Sequence, residues 1–130
     1  MDTETAAHRW AVTWSQAWTQ RDAEAIAELY ADTVVYRSPA FGQPDLGRAG
    51  VRRYLSEQVP AGEDLECRVG QPIVSGDRAA VEWWVSWSEP GQDLWSAGVT
   101  MLRFDGQGQV VEHRDYYHPV VSRRPPDEDG

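Results

Sequence analysis

His113 and Asp115 are the residues whose types and spacing best suit acid–base chemistry. They stand two positions apart in residues 110–118, which alternate like a β-strand. Neighbouring side chains of a strand point to opposite faces, so these two share one face and can reach each other and a ligand. An imidazole beside a carboxylate can exchange protons near neutral pH. We therefore predict Asp115 as an acid or base whose proton His113 tunes or shares. Alternatively, the two only hydrogen-bond each other and the helices in a polar cavity wall.

Hydroxyl groups are candidates to assist such a pair. Tyr36 lies in a short β-type run, residues 34–36, and has the strand parity of Ser38. Tyr36 is therefore the third predicted catalytic residue, as the donor that polarises a substrate oxygen, a role for which Thr100 is the alternative. The helical spacing of Tyr30 favours packing in the core instead.

The elements that must position these residues begin with helices. Three are predicted, at residues 5–20, 23–31 and 47–58. The first has apolar side chains at steps of three and four, with Asp2 or Thr3 as its cap, and Asp22 caps the second. Residues 38–44 contain two prolines and a glycine and are predicted to be loop.

The second half of the chain is predicted to be all strand. Its four runs are residues 65–74, 78–88, 95–104 and 110–118. Short turns rich in Gly, Pro and Asp separate them, which predicts an antiparallel meander. The result is an α+β fold: three N-terminal helices on a curved, mostly antiparallel four-stranded sheet plus one short extra strand, residues 34–36. Such a cone-shaped layer pair would enclose a pocket that is open at one end.

Composition limits the kinds of protein that this chain can be. A length of 130 residues predicts one domain, at residues 1–121, and the Pro-rich, acidic residues 122–130 are predicted to be a disordered tail. The net charge of -9 argues against a nucleic-acid partner. Neither a membrane span nor a signal peptide is recognisable, so we expect a cytoplasmic protein without a membrane partner. The single cysteine, Cys67, and three dispersed histidines predict neither a disulfide nor a metal site, and no cofactor is expected.

Seven tryptophans are the unusual feature of this composition. Trp is large, and its N–H needs a partner when buried, so a cluster predicts a bulky core or an aromatic cavity.

Three segments resemble a known superfamily. Residues 21–32 (RDAEAIAELYAD) resemble the second-helix signature of the nuclear transport factor 2-like superfamily, and residues 47–52 (GRAGVR) resemble the start of its third helix. Residues 102–116 (LRFDGQGQVVEHRDY) resemble its closing hairpin in the SnoaL-like form. The resemblance covers about residues 10–119 and implies the fold. Its function is left open, because this fold carries isomerases, cyclases, dehydratases, epoxide hydrolases and binding subunits.

The resemblance allows the known sites to be compared. Steroid isomerases of the superfamily use a carboxylate base after the first short strand, a tyrosine on helix 1 and a protonated aspartate on the third long strand. The matching positions hold Ser38, Trp14 and Thr100, so that mechanism is not expected. Epoxide hydrolases need an Arg and an Asp where this chain has Thr100 and Leu102. SnoaL-like cyclases have a catalytic acid on the final strand, which is similar to Asp115.

The resemblance also implies which strand faces line the cavity. The predicted ligand-binding residues are Trp14, Trp18, Ser38, Phe41, Tyr54, Trp83, Val85, Trp87, Thr100 and Tyr117. Phe41 is predicted to be a lid, and the alternative for the other aromatic residues is an ordinary packed core. Trp84, Val99, Met101 and Tyr116 would face outward, and such an apolar surface, which commonly forms a homodimer in this family, predicts a dimer here.

Three hypotheses about the function remain open at this level. The first is a SnoaL-like, cofactor-independent enzyme of isomerase, cyclase or dehydratase type, with a small hydrophobic molecule as its substrate. The second is a non-catalytic ligand-binding or dimeric assembly module with the same fold. A scaffold adapted to a new pocket reaction is a third, minor hypothesis.

Overall fold

The computed structural model describes residues 1–38 and 42–122. Within them the elements in chain order are α1 (Thr3–Gln20), α2 (Ala23–Ala27), β1 (Tyr30–Arg37), β2 (Asp45–Leu46), α3 (Gly47–Gln58), β3 (Glu63–Val69), β4 (Ile73–Ser75), β5 (Arg78–Glu89), β6 (Gln92–Phe104) and β7 (Val110–Tyr117). The predicted lid, Phe41, lies outside the described residues, and so does the predicted disordered tail apart from Ser122.

The first helix forms where the sequence pattern predicts it. Of the two candidate caps, Asp2 is the one that serves, since its side chain accepts a hydrogen bond from the backbone N–H of Thr5 at 2.8 Å. The buried face of α1 carries three indoles, from Trp10, Trp14 and Trp18. The helix therefore turns its tryptophans toward the sheet.

The second helix is shorter than predicted, and it ends at Ala27 rather than at residue 31. The carbonyl of Leu29 accepts a hydrogen bond from the N–H of Val110 at 2.9 Å, and Tyr30 pairs with Val110 in a parallel ladder. Pairing with β7 thus takes Tyr30 out of the helix, because long-range contacts override a local helical preference. The third helix agrees with its predicted bounds.

The sheet has the predicted antiparallel meander but more strands than expected. Its order is β2-β1-β7-β6-β5-β3, with β4 paired to β5, and among these pairs only β1 with β7 is parallel. The predicted strand at residues 65–74 is divided into β3 and β4, since Pro72 between them has no N–H to donate. The tight turn at Pro90 and Gly91 (φ 84°) lets β6 begin at Gln92 rather than at residue 95.

The helices cover one face of the curved sheet. Helix α1 packs against β3 and β5, and α3 packs against β1. The core and a cavity lie between the two layers, so the predicted α+β cone is confirmed. The opposite face of the sheet carries no helix from the described part of the chain. In the same residues, no helix has the length and apolar character needed to cross a membrane.

Gly98 permits a close approach of three strands beside the cavity, and this yields a test of the packing. A Cβ at this position would clash with the carbonyl oxygen of Tyr116 and lie 2.6 Å from Tyr117 Cβ and 2.8 Å from Trp83 Cζ2. We expect Gly98→Ala to lower the free energy of unfolding by about 1–3 kcal/mol, because the methyl group overpacks the site. Urea unfolding would measure the loss. Gly106→Ala is the matched control, since a Cβ there meets no atom within 4 Å. Equal stabilities of the two variants would contradict this account of the packing.

Candidate functional site

A cavity of about 170 Å³ lies between the helices and the inner face of the sheet. Aromatic rings form most of its wall. Every predicted site residue within the described chain lines it: Trp14, Trp18, Tyr36, Ser38, Tyr54, Trp83, Val85, Trp87, Thr100, His113, Asp115 and Tyr117. Their roles in binding and catalysis stay predictions, but strand parity and resemblance place these side chains together.

The strand register explains how the polar residues meet. On β7, His113 and Asp115 face the same side, as their spacing predicts. Thr100 of β6 lies directly opposite Asp115, and Tyr36 of β1 lies opposite His113. Side chains that are directly opposite on paired strands are close enough to interact. The three central strands therefore gather one polar cluster in an apolar cavity.

Asp115 is the centre of this cluster and is 7 % exposed. Its Oδ1 accepts hydrogen bonds from Thr100 Oγ1 at 2.6 Å and from His113 Nε2 at 2.8 Å. Its Oδ2 accepts from Ser38 Oγ at 3.0 Å. Because a carboxylate has about four acceptor positions, these three bonds from the described residues leave one position, on Oδ2. Three donors around one carboxyl group are an arrangement that stabilises the anion.

The two hydroxyl donors are themselves oriented by neighbours. Trp83 Nε1 donates to Thr100 Oγ1 at 2.9 Å, and the Oγ of Ser38 lies 2.8 Å from the hydroxyl of Tyr54. The hydrogen of Ser38 is used in its bond to Asp115. Tyr54 must therefore donate to Ser38, and both chains of hydrogen bonds run toward the carboxylate.

The tautomer of His113 follows from the hydrogen bonds of Tyr30. The tyrosine hydroxyl accepts from Trp10 Nε1 and Trp14 Nε1, each at 3.1 Å, and lies 2.8 Å from His113 Nδ1. Since indole N–H groups only donate, both lone pairs of the tyrosine oxygen are occupied. Tyr30 therefore donates its hydrogen to Nδ1, and His113 carries its own hydrogen on Nε2, directed at Asp115.

This arrangement narrows the role of His113. Both of its ring nitrogens are engaged by neighbouring side chains, and the ring is stacked on Tyr36 with centroids 3.8 Å apart and an 18° interplanar angle. Of the two predicted roles, tuning Asp115 therefore fits the geometry better than sharing a proton with a ligand.

The buried phenols around the cluster are held in their neutral, hydrogen-donating form. Burial raises the pKa of Tyr30 and of Tyr36 well above the ordinary value, and the negative charge of Asp115 raises both further. The hydrogen bonds from the two indoles act in the opposite direction on the pKa of Tyr30 without cancelling the effect of burial. Burial also raises the pKa of Tyr54, and the charge of Asp115 raises it further by a smaller amount.

Sequence reasoning missed part of the site. Tyr30 was predicted to pack in the core as part of a helix. It is fully buried in the core, but it lies on β1, and its hydroxyl joins the network. Trp10 lies one helical turn before Trp14, a spacing of four that was visible in the sequence. Further wall residues outside the prediction are Gln58, Pro60, Cys67, Val69, Ser96 and Val120. Burial raises the pKa of the Cys67 thiol to about 12, so it lines the wall in the neutral form.

The acidic, thiol and imidazole groups of the described residues do not assemble a metal centre. Nowhere in residues 1–38 and 42–122 do three or more such side chains come close enough to hold an ion.

Comparison with known proteins places this geometry in a family. Residues 11–113 match the SnoaL-like domain. The chain belongs to the SnoaL-like domain family. This confirms the resemblance to the nuclear transport factor 2-like superfamily that the helix and hairpin segments indicated. No curated protein matches the sequence.

Three crystal structures illustrate the shared fold. A hypothetical protein from Catenulispora acidiphila, with a ketosteroid isomerase-like fold and in complex with trimethylamine, is 22% identical, has a TM-score of 0.69 and matches over 82% of each chain. A Mycobacterium tuberculosis protein is 18% identical, with a TM-score of 0.73 over 91% of this chain and 95% of its own. An NTF-2 like protein of unknown function from Burkholderia xenovorans is 23% identical, with a TM-score of 0.68 over 95% and 91%. At these identities, the likeness shows the fold alone.

The assigned tautomer of His113 can be tested by NMR. At neutral pH, long-range ¹H–¹⁵N correlations should show a protonated Nε2 and an unprotonated Nδ1 that accepts a hydrogen bond. In Tyr30→Phe, the Nδ1 resonance should move toward that of a nitrogen without a donor. The variant should also lose about 1–3 kcal/mol of stability, because two buried indole N–H groups lose their acceptor. Tyr116→Phe, at an exposed tyrosine, is the control. A protonated Nδ1 in the wild type would show that the assignment is wrong.

Proposed function

We propose that this SnoaL-like protein is a cofactor-independent acid–base enzyme of isomerase, cyclase or dehydratase type. Its substrate would be a small, mainly apolar molecule bound in the aromatic cavity. The observation that carries the proposal is an acceptor position on Oδ2 of Asp115 to which no described residue donates, on a carboxylate that is otherwise hydrogen-bonded and buried. A base held in this way has one position at which it can take a proton.

The polar neighbours of Asp115 would have separate roles. Thr100 and Ser38 direct their hydroxyl hydrogens at the carboxylate, so they would hold it in place rather than contact the substrate. Tyr36 would be the better of the two candidates for polarising a substrate oxygen, because its hydroxyl bonds to Tyr54 and not to the carboxylate and could exchange that bond for one to the substrate. Its raised pKa keeps the phenol protonated and able to donate a hydrogen bond.

The aromatic walls would serve binding and chemistry together. The indoles of Trp14, Trp18, Trp83 and Trp87 line the cavity and offer flat surfaces on which an apolar substrate can stack. A substrate that fills the cavity would displace water from the carboxylate, and electrostatic interactions are stronger where water is excluded. The substrate would therefore meet a base that is little screened by solvent.

A second candidate function is a non-catalytic ligand-binding or dimeric assembly module. The uncovered face of the sheet favours it. Trp84, Val99, Met101 and Tyr116 lie on that face, and Tyr116 is 49% exposed. Apolar groups on an open sheet face are typical of an interface, and the partner proposed here is a second copy of the chain.

Proton abstraction can be tested before the substrate is known. Wild type and Asp115→Asn would be incubated in D₂O with a panel of small cyclic ketones and enones, and deuterium uptake at carbon would be followed by ¹H NMR. The wild type should accelerate exchange for at least one compound, and the variant should lose this acceleration by about 100-fold or more, because the amide is not a base.

The variant should still fold. An Asn side chain can accept from Thr100 and His113 through its oxygen and donate to Ser38 through its nitrogen, so the near-UV circular dichroism should be unchanged. Asp77→Asn removes a carboxylate from an exposed turn and should exchange protons at the wild-type rate. Wild-type exchange by Asp115→Asn, or no exchange with any compound, would contradict the enzymatic proposal.

The assembly proposal has its own test. Val99→Glu places a charge in the centre of the outer sheet face, directly opposite Glu82 and Tyr116 on the neighbouring strands. It should convert a dimer into a monomer in sedimentation velocity experiments, because burying an unpaired charge is costly. Val12→Glu is the control, since Val12 is 51% exposed on α1, on the helix side of the sheet. A wild-type protein that is monomeric at every concentration, or a Val99→Glu variant that stays dimeric, would rule out this interface.

A further inference from the structure

The cavity contains a negative charge without a positive charge to balance it. The basic residues of the sequence are 12 arginines, and none of them is among the residues that line the cavity within the described chain. His113 does not supply the charge either, since its Nδ1 accepts a hydrogen from Tyr30. The wall therefore carries the formal charge of Asp115 alone.

A charge in this position lowers the stability of the folded protein. Moving a carboxylate out of water costs several kcal/mol even after relaxation, and the hydrogen bonds to Asp115 offset only part of that cost. The surrounding rings add to the imbalance, because the face of an aromatic ring has a negative electrostatic potential. Trp14, Trp18 and Trp83 all belong to this wall. The electrostatic potential in the cavity thus favours a positive group.

We propose that the ligand of this cavity is a small organic cation, an alkylammonium or quaternary ammonium group within an apolar frame. Its positive centre would lie against indole faces and balance the charge of Asp115. The inference rests on the proposed ligand pocket and names the chemical class of the ligand. It does not require that the ligand be turned over.

Other ligand classes fit this cavity less well. An anion would be repelled by Asp115 and by the net charge of -9. A neutral apolar molecule would fill the volume of about 170 Å³ but would leave the carboxylate unbalanced and drier than before. An organic cation would both fill the cavity and balance the charge of the carboxylate. A positive centre would also stabilise negative charge that develops on a substrate carbon when Asp115 removes a proton, so the ligand class agrees with the proposed chemistry.

A pair of molecules of the same shape can separate charge from size. Choline and 3,3-dimethylbutan-1-ol differ in having a quaternary nitrogen or a quaternary carbon at the same position. Isothermal titration calorimetry at low ionic strength, with intrinsic Trp fluorescence as a second readout, would compare their binding to the wild type. Choline should bind about tenfold more tightly than the alcohol, the preference that cation–π and charge attraction together provide.

Three variants test whether the preference for choline comes from the charge of Asp115 and from the indole rings. Asp115→Asn keeps the shape of the side chain and should remove most of the preference for choline. Trp18→Leu should weaken choline binding severalfold, and it removes an indole face without removing a hydrogen bond, since Trp18 Nε1 has no partner among the described residues. Asp77→Asn changes the net charge by the same amount at an exposed position and should behave as the wild type.

The outcomes separate this inference from the proposed function. If the alcohol binds as tightly as choline, or if the preference survives in Asp115→Asn, the cation proposal is wrong while the ligand pocket stands. If neither molecule binds but neutral ketones of the exchange panel do, the cation proposal is again wrong and the enzymatic one is unaffected. If no molecule binds at all, the ligand pocket itself is refuted.

Discussion

The buried charge of Asp115 is the constraint on which the rest of the pocket depends. Its three donors come from separate parts of the sheet: Ser38 directly follows β1, Thr100 belongs to β6 and His113 to β7. A shift of any of these strands by one residue would turn its side chains to the opposite face. The donor would then be lost and the carboxylate left less satisfied in an apolar surrounding. The register of the central strands and the chemistry of the pocket are therefore fixed by the same contacts, so that a change in one disturbs the other.

The helices contribute the residues that orient the hydrogen-bond partners in this network. Helix α1 supplies two indole N–H groups that orient Tyr30, and α3 supplies Tyr54, which orients Ser38. These aromatic side chains fill the space between helix and sheet, and their polar atoms extend the hydrogen-bond network. The unusual number of tryptophans follows from this double use, since a ring can pack in the core while its N–H satisfies a buried oxygen. An aliphatic core of equal volume could hold the sheet but could not hold the hydrogen of Tyr30 on the imidazole.

Much of this arrangement could be predicted from the sequence because strand parity is a simple and strict rule. Alternation on one strand was enough to bring His113 and Asp115 to one face. The same rule put Trp83 and Trp87 on one face, and the family resemblance identified that face as the cavity wall that they line. The role of Tyr30 could not be predicted in this way. Its neighbours along the chain have a helical pattern, and only the parallel pairing with β7, some 80 residues away, makes it a strand residue. The tautomer of His113 was equally inaccessible, since it depends on two indoles that reach Tyr30 from another element. Local patterns therefore identified the members of the site, whereas long-range contacts decided their roles.

A charge kept in this position is difficult to explain by stability. Replacing a buried charged group and its partners with apolar residues of similar volume is often neutral or stabilising, so selection for stability alone would not preserve Asp115 here. A ligand that neutralises the charge would raise the free energy of unfolding, because a molecule that binds only the folded state adds to its stability by mass action. The part of the cost that internal hydrogen bonds leave uncompensated becomes available as binding energy when the right ligand arrives. Among the described residues, Asp115 has three donors for about four acceptor positions. The proposed ligand pocket would need such an open position, which a purely structural core would avoid.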